Sequence, residues 1–401
     1  MNILIVGKAC PFETAHAILQ KSGKNPGYQI IKFMDLIIQG FIKNQQHVSV
    51  LTNVSNPNKR YSPSTEETVN QIYYRYLPTI RIPILSQLLH ILYAFVYTMI
   101  WCIKTKGNKI VFCDIFASSS SSSSSVAAAK LLGVKTSVLI TDMITIPITT
   151  ALNTNKWWWK AFLQLRVRNQ HKGLKKYDSF VFLTKQMNEI YNPLNKPYIV
   201  MEGSVDHTFS PDLEITKQQS SIIMYAGAIE AEYGFNELVQ AFMTLSNPNI
   251  ELHIYGAGKF VNTLIQYSNQ DNRIKYMGVV NNEQIVAAEQ RATLLVNPRL
   301  TNQDFVKYSF PSKTSEYMLS GTPLLTTKLP GIPNEYFDYL YTFNEETIDG
   351  MAHTIQEIIS LPSEELQKKG KSAQKFVLKN KNNIIQSKRL VDFFTQINHS
   401  L

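Results

Sequence analysis

YSFPSKTSEYMLSGTP, residues Tyr308 to Pro323, places a hydroxyl-rich turn, one lysine, one glutamate and a glycine in a single short run. The apolar run Thr293–Asn297 (TLLVN) leads into it as a strand, and Leu324–Thr326 leaves it as the next strand. Between them, Phe310-Pro311-Ser312 opens a helix that Gly321 stops, with Pro323 just beyond. A helix start presents free backbone N–H groups and the positive end of a dipole, which together suit a phosphate. Lys313, Ser312 and Thr314 add a point charge and two hydroxyls at that start. Glu316 lies one turn on, placed to accept hydrogen bonds from two vicinal hydroxyls such as a ribose diol. A nucleoside diphosphate carries both kinds of group. An ordinary strand–helix corner with a surface Lys and Glu is the plainer reading of the same residues.

The stretch resembles the C-terminal signature of GT-B glycosyltransferases, family four in particular, the retaining enzymes that use nucleotide-sugars. That signature runs E-x-F-G-x-x-x-x-E-A-M-A-x-G-x-P. Phe310, Glu316, Met318, Gly321 and Pro323 match it, while Tyr308 stands where the first glutamate, expected to contact the transferred sugar, belongs. The form FPSK…EYMxSGTP resembles a bacterial polysaccharide branch. The resemblance implies an α/β chain of the GT-B kind: two Rossmann-like doubly wound domains facing a cleft, with the C-terminal helix crossing back to the first domain. The expected limits are 1–206 for an acceptor-binding, membrane-facing domain, 207–380 for a nucleotide-sugar-binding domain and 381–401 for the returning helix.

A chain of 401 residues is too long for one core, so two domains are expected on length alone. MNILIVG at the start predicts a strand rather than a secretory leader. Cys10, Cys102 and Cys113 have no metal or disulfide spacing, which fits a reducing cytoplasm. The net charge of +10 is unevenly spread: residues 1–200 hold 23 Lys and Arg against 8 Asp and Glu, a balance of +15, while 201–401 hold 17 against 22, a balance of −5. A basic half beside an acidic half points to an anionic surface or polymer facing the first domain.

Asn2–Gly7, a helix over Tyr28–Asn44 and the strand His47–Thr52 make a doubly wound start. The residues between, KACPFETAHAILQKSGKNPG, are expected to be a long loop lining a ligand cleft. The resemblance takes that loop, which holds Gly27, to the acceptor or the diphosphate; His16 within it is a candidate base, with a solvated or structural histidine as the alternative. Val69–Leu77 predicts a third strand. Ile82–Ile103 carries no charge and is long enough to span a bilayer, yet it occupies the slot of a crossover helix and is read as partly buried and partly membrane-facing. Ser118–Ser125 is read as a close-packed strand–helix corner rather than a linker, followed by a short helix to Gly133. Asp114 and Asp142 end parallel strands, where open sheets place ligands, so each is an acceptor-side candidate or a helix cap.

Lys156–Lys176, KWWWKAFLQLRVRNQHKGLKK, has Trp157, Trp158 and Trp159 followed by apolar residues with Lys172, Lys175 and Lys176 at its end and no acid anywhere. That composition predicts an interfacial amphipathic segment on an anionic membrane; a core helix with a solvated basic face is the alternative.

The second half repeats the α/β pattern. Gly227 and Gly234 bracket a loop, and Gly256 and Gly258 line another turn. The resemblance expects an Arg and a Lys holding the diphosphate in the first loop; Ala228 and Tyr233 stand there instead, with Glu230 and Glu232 making it acidic, so Lys313 and Arg299 must carry more of the charge. It also expects the backbone around Val280 to read the base.

The expected activity is a retaining transfer of a sugar from a UDP- or GDP-type donor to a lipid-linked or polysaccharide acceptor, by a peripheral protein on the cytoplasmic face of the plasma membrane. By resemblance no metal or other cofactor is required, and Lys313, Glu316 and Tyr308 form the catalytic set. No carboxylate pair suggests two-acid hydrolysis, and no nucleic-acid partner is expected. Two other readings remain at this stage: a GT-B epimerase or hydrolase acting on the donor alone, and a non-enzymatic basic anion-binding protein.

Overall fold

The computed structural model describes residues 1–22, 28–54, 61–62, 64–80, 82–115, 119–143, 168, 171–210 and 221–399. They form two compact units, Met1–Ser204 with Asn383–Leu401, and Val205–Asn382. The sequence reading set these limits at 206/207 and 380/381.

The first unit holds the strands β1 (Asn2–Gly7), β2 (His47–Thr52), β3 (Tyr61–Ser62), β4 (Glu66–Val69), β5 (Ile72–Tyr76), β6 (Thr79–Ile80), β7 (Lys109–Asp114), β8 (Thr136–Ile140), β9 (Ser179–Phe182) and β10 (Tyr198–Val200). Eight of them form one sheet in the order β10-β9-β8-β7-β1-β2-β5-β4, parallel except for β4. The strands at its centre are apolar on both faces, as β1 (NILIVG) and β8 (TSVLI) show, because helices cover both sides of a parallel sheet. The helices of this unit are α1 (Phe12–Ser22), α2 (Tyr28–Lys43), α3 (Pro83–Lys104), α4 (Ser119–Leu131) and α5 (Met187–Tyr191). The chain's last helix also belongs to it. Phe41 of α2, Phe112 of β7 and Phe394 of that last helix meet with ring centroids 5.3 to 6.4 Å apart. Gly40 makes the approach possible, since a Cβ there would lie 2.2 Å from the Asn383 carbonyl oxygen.

Three expectations for this unit are corrected. The loop expected after β1 contains α1 over FETAHAILQKS, where Pro11 starts the helix and the alanines favour it. The single strand expected over Val69–Leu77 is a hairpin: β4 and β5 pair antiparallel across Asn70 and Gln71, both at positive φ as the tightest hairpin turn requires. The serine run is itself helical from Ser119. Its small side chains let α4 lie close on α3, with Ser124 Oγ donating to the Ile91 carbonyl at 2.6 Å and Thr98 Oγ1 to Ser125 Oγ at 2.9 Å.

The second unit holds β11 (Ser221–Ala228), β12 (Ile250–Ala257), β13 (Ile274–Gly278), β14 (Leu294–Asn297), β15 (Leu324–Thr326) and β16 (Tyr341–Thr342), all parallel, in the order β13-β12-β11-β14-β15-β16. Its helices are α6 (Phe235–Thr244), α7 (Val261–Gln270), α8 (Asn282–Arg291), α9 (Ser312–Ser320), α10 (Ile348–Ile359) and α11 (Ser363–Asn380); α12 (Asn383–His399) is the helix that returns to the first unit. Helix α7 and the 3-10 turn Asp304–Tyr308 have no counterpart in the sequence reading. Gly27, Trp157, Trp158 and Trp159 lie outside the described residues.

Candidate functional site

Helix α9 is the centre of the site. Pro311 is its N-cap, with extended ψ and no side-chain cap, and the first turn has no acid of its own. Gly321, at φ 79°, ends it in the left-handed conformation. Tyr317 fixes the helix against the sheet: its hydroxyl accepts from the Ala226 N–H at 2.7 Å and donates to the Ala226 carbonyl at 3.1 Å. This holds the start of α9 beside the carboxyl end of β11, where open α/β sheets bind ligands.

Lys313 Nζ, one turn before Tyr317, donates to Glu316 Oε2 at 2.7 Å and lies 4.0 Å from Glu289 Oε1. Burial alone would lower the Lys313 pKa, but Glu316 and Glu289 outweigh it and hold the ammonium above the usual lysine range. Glu289 sits on α8, is almost fully buried, and is fixed from the backbone side by Thr322 Oγ1 donating to its carbonyl at 2.7 Å. The site therefore has a lysine between two carboxylates, one half-exposed and one buried.

The sequence-predicted residues fall as follows. Ser312 is exposed at the helix start, whereas Thr314 is fully buried, so its hydroxyl does not face solvent as expected. The glycine turns meet in space. Gly227 pairs with Gly256 in the β11–β12 register, and a Cβ on Gly256 (φ 130°) would lie 1.8 Å from the Gly227 carbonyl oxygen. A Cβ on Gly258 would lie 2.0 Å from the Ile229 carbonyl oxygen. Arg299 follows β14, and its guanidinium stacks 4.3 Å over the Tyr233 ring and 5.5 Å from the Phe305 ring centre. Its Nε is buried with no hydrogen-bond partner among the described residues. The Pro298 oxygen packs against Gly234, at φ 76°, and ties this corner to the Gly227–Gly234 loop. Burial raises the Tyr225 pKa, and the nearby charge of Arg299 opposes the rise. Tyr308 ends the 3-10 turn half-buried, with Lys307 Nζ 5.1 Å over its ring. Val280 follows Gly278 (φ 72°) and is half-buried, beside the exposed Val279.

In the first unit His16 is exposed on α1 rather than in a loop. Asp114 ends β7 fully buried, and Asp142 lies exposed two residues past β8. Lys172, Lys175 and Lys176 are exposed. Among the described residues, no three His, Cys, Asp or Glu side chains stand together as metal ligands.

Sequence reasoning missed Glu289 and Tyr317. Glu289 is one charge on a polar helix and carries no signal of burial. Tyr317 sits between Glu316 and Met318 with both neighbours already accounted for, so only the contact with Ala226 reveals its work.

Residues 210–376 match the family model described as glycosyl transferases group 1. The match falls within the second unit and spans less than half of the chain. No curated protein sequence matches this chain. Its fold matches solved structures over the whole chain. A sucrose-phosphate synthase from Thermosynechococcus elongatus has a TM-score of 0.66 at 12% identity, covering 100% of both chains. A trehalose-6-phosphate protein from E. coli bound with UDP-2-fluoro glucose gives 0.67 at 10%, covering 98% of this chain and 99% of that one. Anabaena HepE in complex with UDP gives 0.61 at 12%, covering 99% and 100%. At these identities the likeness establishes the GT-B fold, including the helix that returns to the first unit.

Proposed function

We propose that this chain is a glycosyltransferase that moves a sugar, with retention at the anomeric carbon, from a UDP- or GDP-type donor to a lipid-linked or polysaccharide acceptor of a bacterial cell-surface glycan. The observation that carries the donor side is the Lys313–Glu316 pair at the uncapped start of α9. The Lys313 ammonium meets the diphosphate as its charge grows on the departing oxygen, and the first-turn N–H groups and Ser312 add donors aimed at the same place. Glu316 turns to the ribose diol once Lys313 has an anion to hold. Gly227, Gly256 and Gly258 leave room for the phosphates against bare backbone, and Arg299 adds charge on the β14 side. Tyr308 lies where the transferred sugar is expected, and Val280 near the base. The leaving phosphate oxygen takes the acceptor's proton on the face it departs from, so the reaction needs no metal. His16, Gly27, Asp114 and Asp142 are the acceptor-side candidates, with the burial of Asp114 speaking against direct contact.

The acceptor reading draws on the FPSK…EYMxSGTP form and on the basic first half, which support a peripheral position at the inner face of the plasma membrane, with Trp157, Trp158, Trp159, Lys172, Lys175 and Lys176 as the proposed lipid contacts. Calorimetry with UDP and GDP, then incubation of the matching donor with and without a lipid-linked acceptor, tests the function. Tight binding and acceptor-dependent consumption are expected. Consumption at the same rate without acceptor would instead show a hydrolase or epimerase.

A further inference from the structure

Helix α3 leaves half its surface uncovered. Ile84, Leu88, Leu92, Val96 and Ile100 repeat every fourth residue, with Leu85 and Ile91 between them and Ile103 beyond, and all are exposed; Ile84 is 75%, Leu92 64% and Ile103 66% accessible. At 100° per residue they cover about half of the helix circumference and, at 1.5 Å per residue, about 30 Å of its length. The opposite face is committed to the protein: Ala94, Thr98 and Trp101 are buried, Thr98 Oγ1 donates to Ser125 Oγ of α4, and Ser124 of α4 donates to the backbone carbonyl of Ile91. By length and composition Ile84–Lys104 passes as a membrane span. Its packing on α4 argues against that, since crossing a bilayer would pull the buried face out of the first unit.

We infer that α3 lies flat in the surface of an anionic membrane, with its exposed stripe among the acyl chains and its buried face on α4. Charge selects this occupant. No acid occurs in α3 or α4, and α3 ends in the exposed Lys104 followed by Lys106, neither in an ion pair among the described residues. The first 200 residues carry +15. A second copy on the stripe would bring two such halves together, whereas an anionic leaflet attracts one. The docking serves the membrane-borne acceptor proposed above, but its test contains neither donor nor acceptor, so its failure leaves the transferase reading standing.

The experiment is co-sedimentation with phosphatidylcholine–phosphatidylglycerol vesicles, at low and high salt, of wild type, Leu88→Glu/Leu92→Glu and Leu88→Ser/Leu92→Ser. Melting curves and UDP affinity check that each variant is folded. Wild type is expected to sediment at both salts, less at high salt as the lysine attraction is screened. Both variants are expected to fall by about a hundredfold in partition, from two leucine side chains withdrawn from apolar contact. Wild type left in the supernatant overturns the inference, as does a folded variant that sediments like wild type. A wild-type dimer in sedimentation velocity that either variant dissociates, without vesicle binding, assigns the stripe to a second copy and also overturns it.

Discussion

Lys313 Nζ lies 2.7 Å from Glu316 Oε2, so the lysine expected to meet phosphate and the glutamate expected to meet ribose hold each other one turn apart on α9. Buried Glu289 sits 4.0 Å from the same nitrogen. The ligand's phosphate must compete for a cation that two carboxylates already hold. Lys313→Ala therefore removes the phosphate contact and one of the charges that faces buried Glu289. UDP or GDP binding should weaken by roughly 1.5–3 kcal/mol, with some loss of thermal stability as well. Calorimetry and a melting curve read the two effects, and unchanged nucleotide affinity would end the assignment.

Glu316→Gln keeps the shape and removes the charge. It should weaken the donor more than Tyr308→Phe does, because Tyr308 is half-buried at the end of a 3-10 turn and offers one hydroxyl. The donor KM of each variant decides it. Equal losses would make Tyr308 the working substitute for the signature's first glutamate.

The second unit was the more legible in sequence, for a physical reason. Its strands are short apolar runs closed by glycines, and α8 opens on Asn281 with Gln284 in a reciprocal capping box, so its limits Asn282–Arg291 follow from local chemistry. In the first unit Asn70-Gln71 turns the chain without a glycine, which hid the hairpin, and seven serines form helix because α3 gives them a surface to pack on. Tertiary contact overrode propensity there. In the site, Lys313, Glu316 and Arg299 were visible as charges at a strand–helix corner. Thr314 was visible as a hydroxyl, but its burial was not, because one turn of helix places neighbouring residues on opposite faces.

The glycine turns test the backbone itself. Gly258→Ala places a methyl 2.0 Å from the Ile229 oxygen and 2.5 Å from its carbon, and Gly256→Ala adds an unfavourable positive φ to a 1.8 Å clash. Each should destabilise the second unit by about 2 kcal/mol or more and weaken nucleotide binding with it. Gly107→Ala, at φ 77° but with open space around it, is the control and should cost about 1 kcal/mol. A Gly258→Ala protein as stable as wild type would show that the β11–β12 corner gives way.

The three thiols should be inert while the protein is folded. Burial, helped by Glu67 and Asp35, pushes Cys10 up to about 12. Burial pushes Cys102 to about 11 against the opposing charge of Lys109. It pushes Cys113 to about 12, aided by Asp114 and opposed by hydrogen bonds with Tyr177 and Ser122. A raised thiol pKa means less thiolate at any lower pH, so iodoacetamide near neutral pH should label none of them until denaturant is added. Mass spectrometry counts the labels; a native label on any of the three would show that its site opens.

Arg299 is the cation that stands beside the Gly227–Gly234 loop, which has Ala228 and Tyr233 where the resemblance expects Arg and Lys. Its guanidinium carbon lies 4.3 Å from the Tyr233 ring centre and 5.5 Å from that of Phe305, so two aromatic rings hold its position. A planar fork held in this way offers parallel N–H groups to a phosphate at little entropic cost, which a lysine cannot do. Arg299→Ala should lower UDP or GDP affinity by roughly 1.5–3 kcal/mol and leave the affinity for the bare nucleoside unchanged. Arg299→Lys should recover only part of the loss, since it restores the charge without the stacking. Tyr233→Ala should resemble Arg299→Lys, because it keeps the charge and frees its position. Comparing nucleoside with nucleoside diphosphate by calorimetry separates a phosphate contact from a general loss of fold. Equal losses for both ligands would show that Arg299 serves the corner's packing and not the diphosphate.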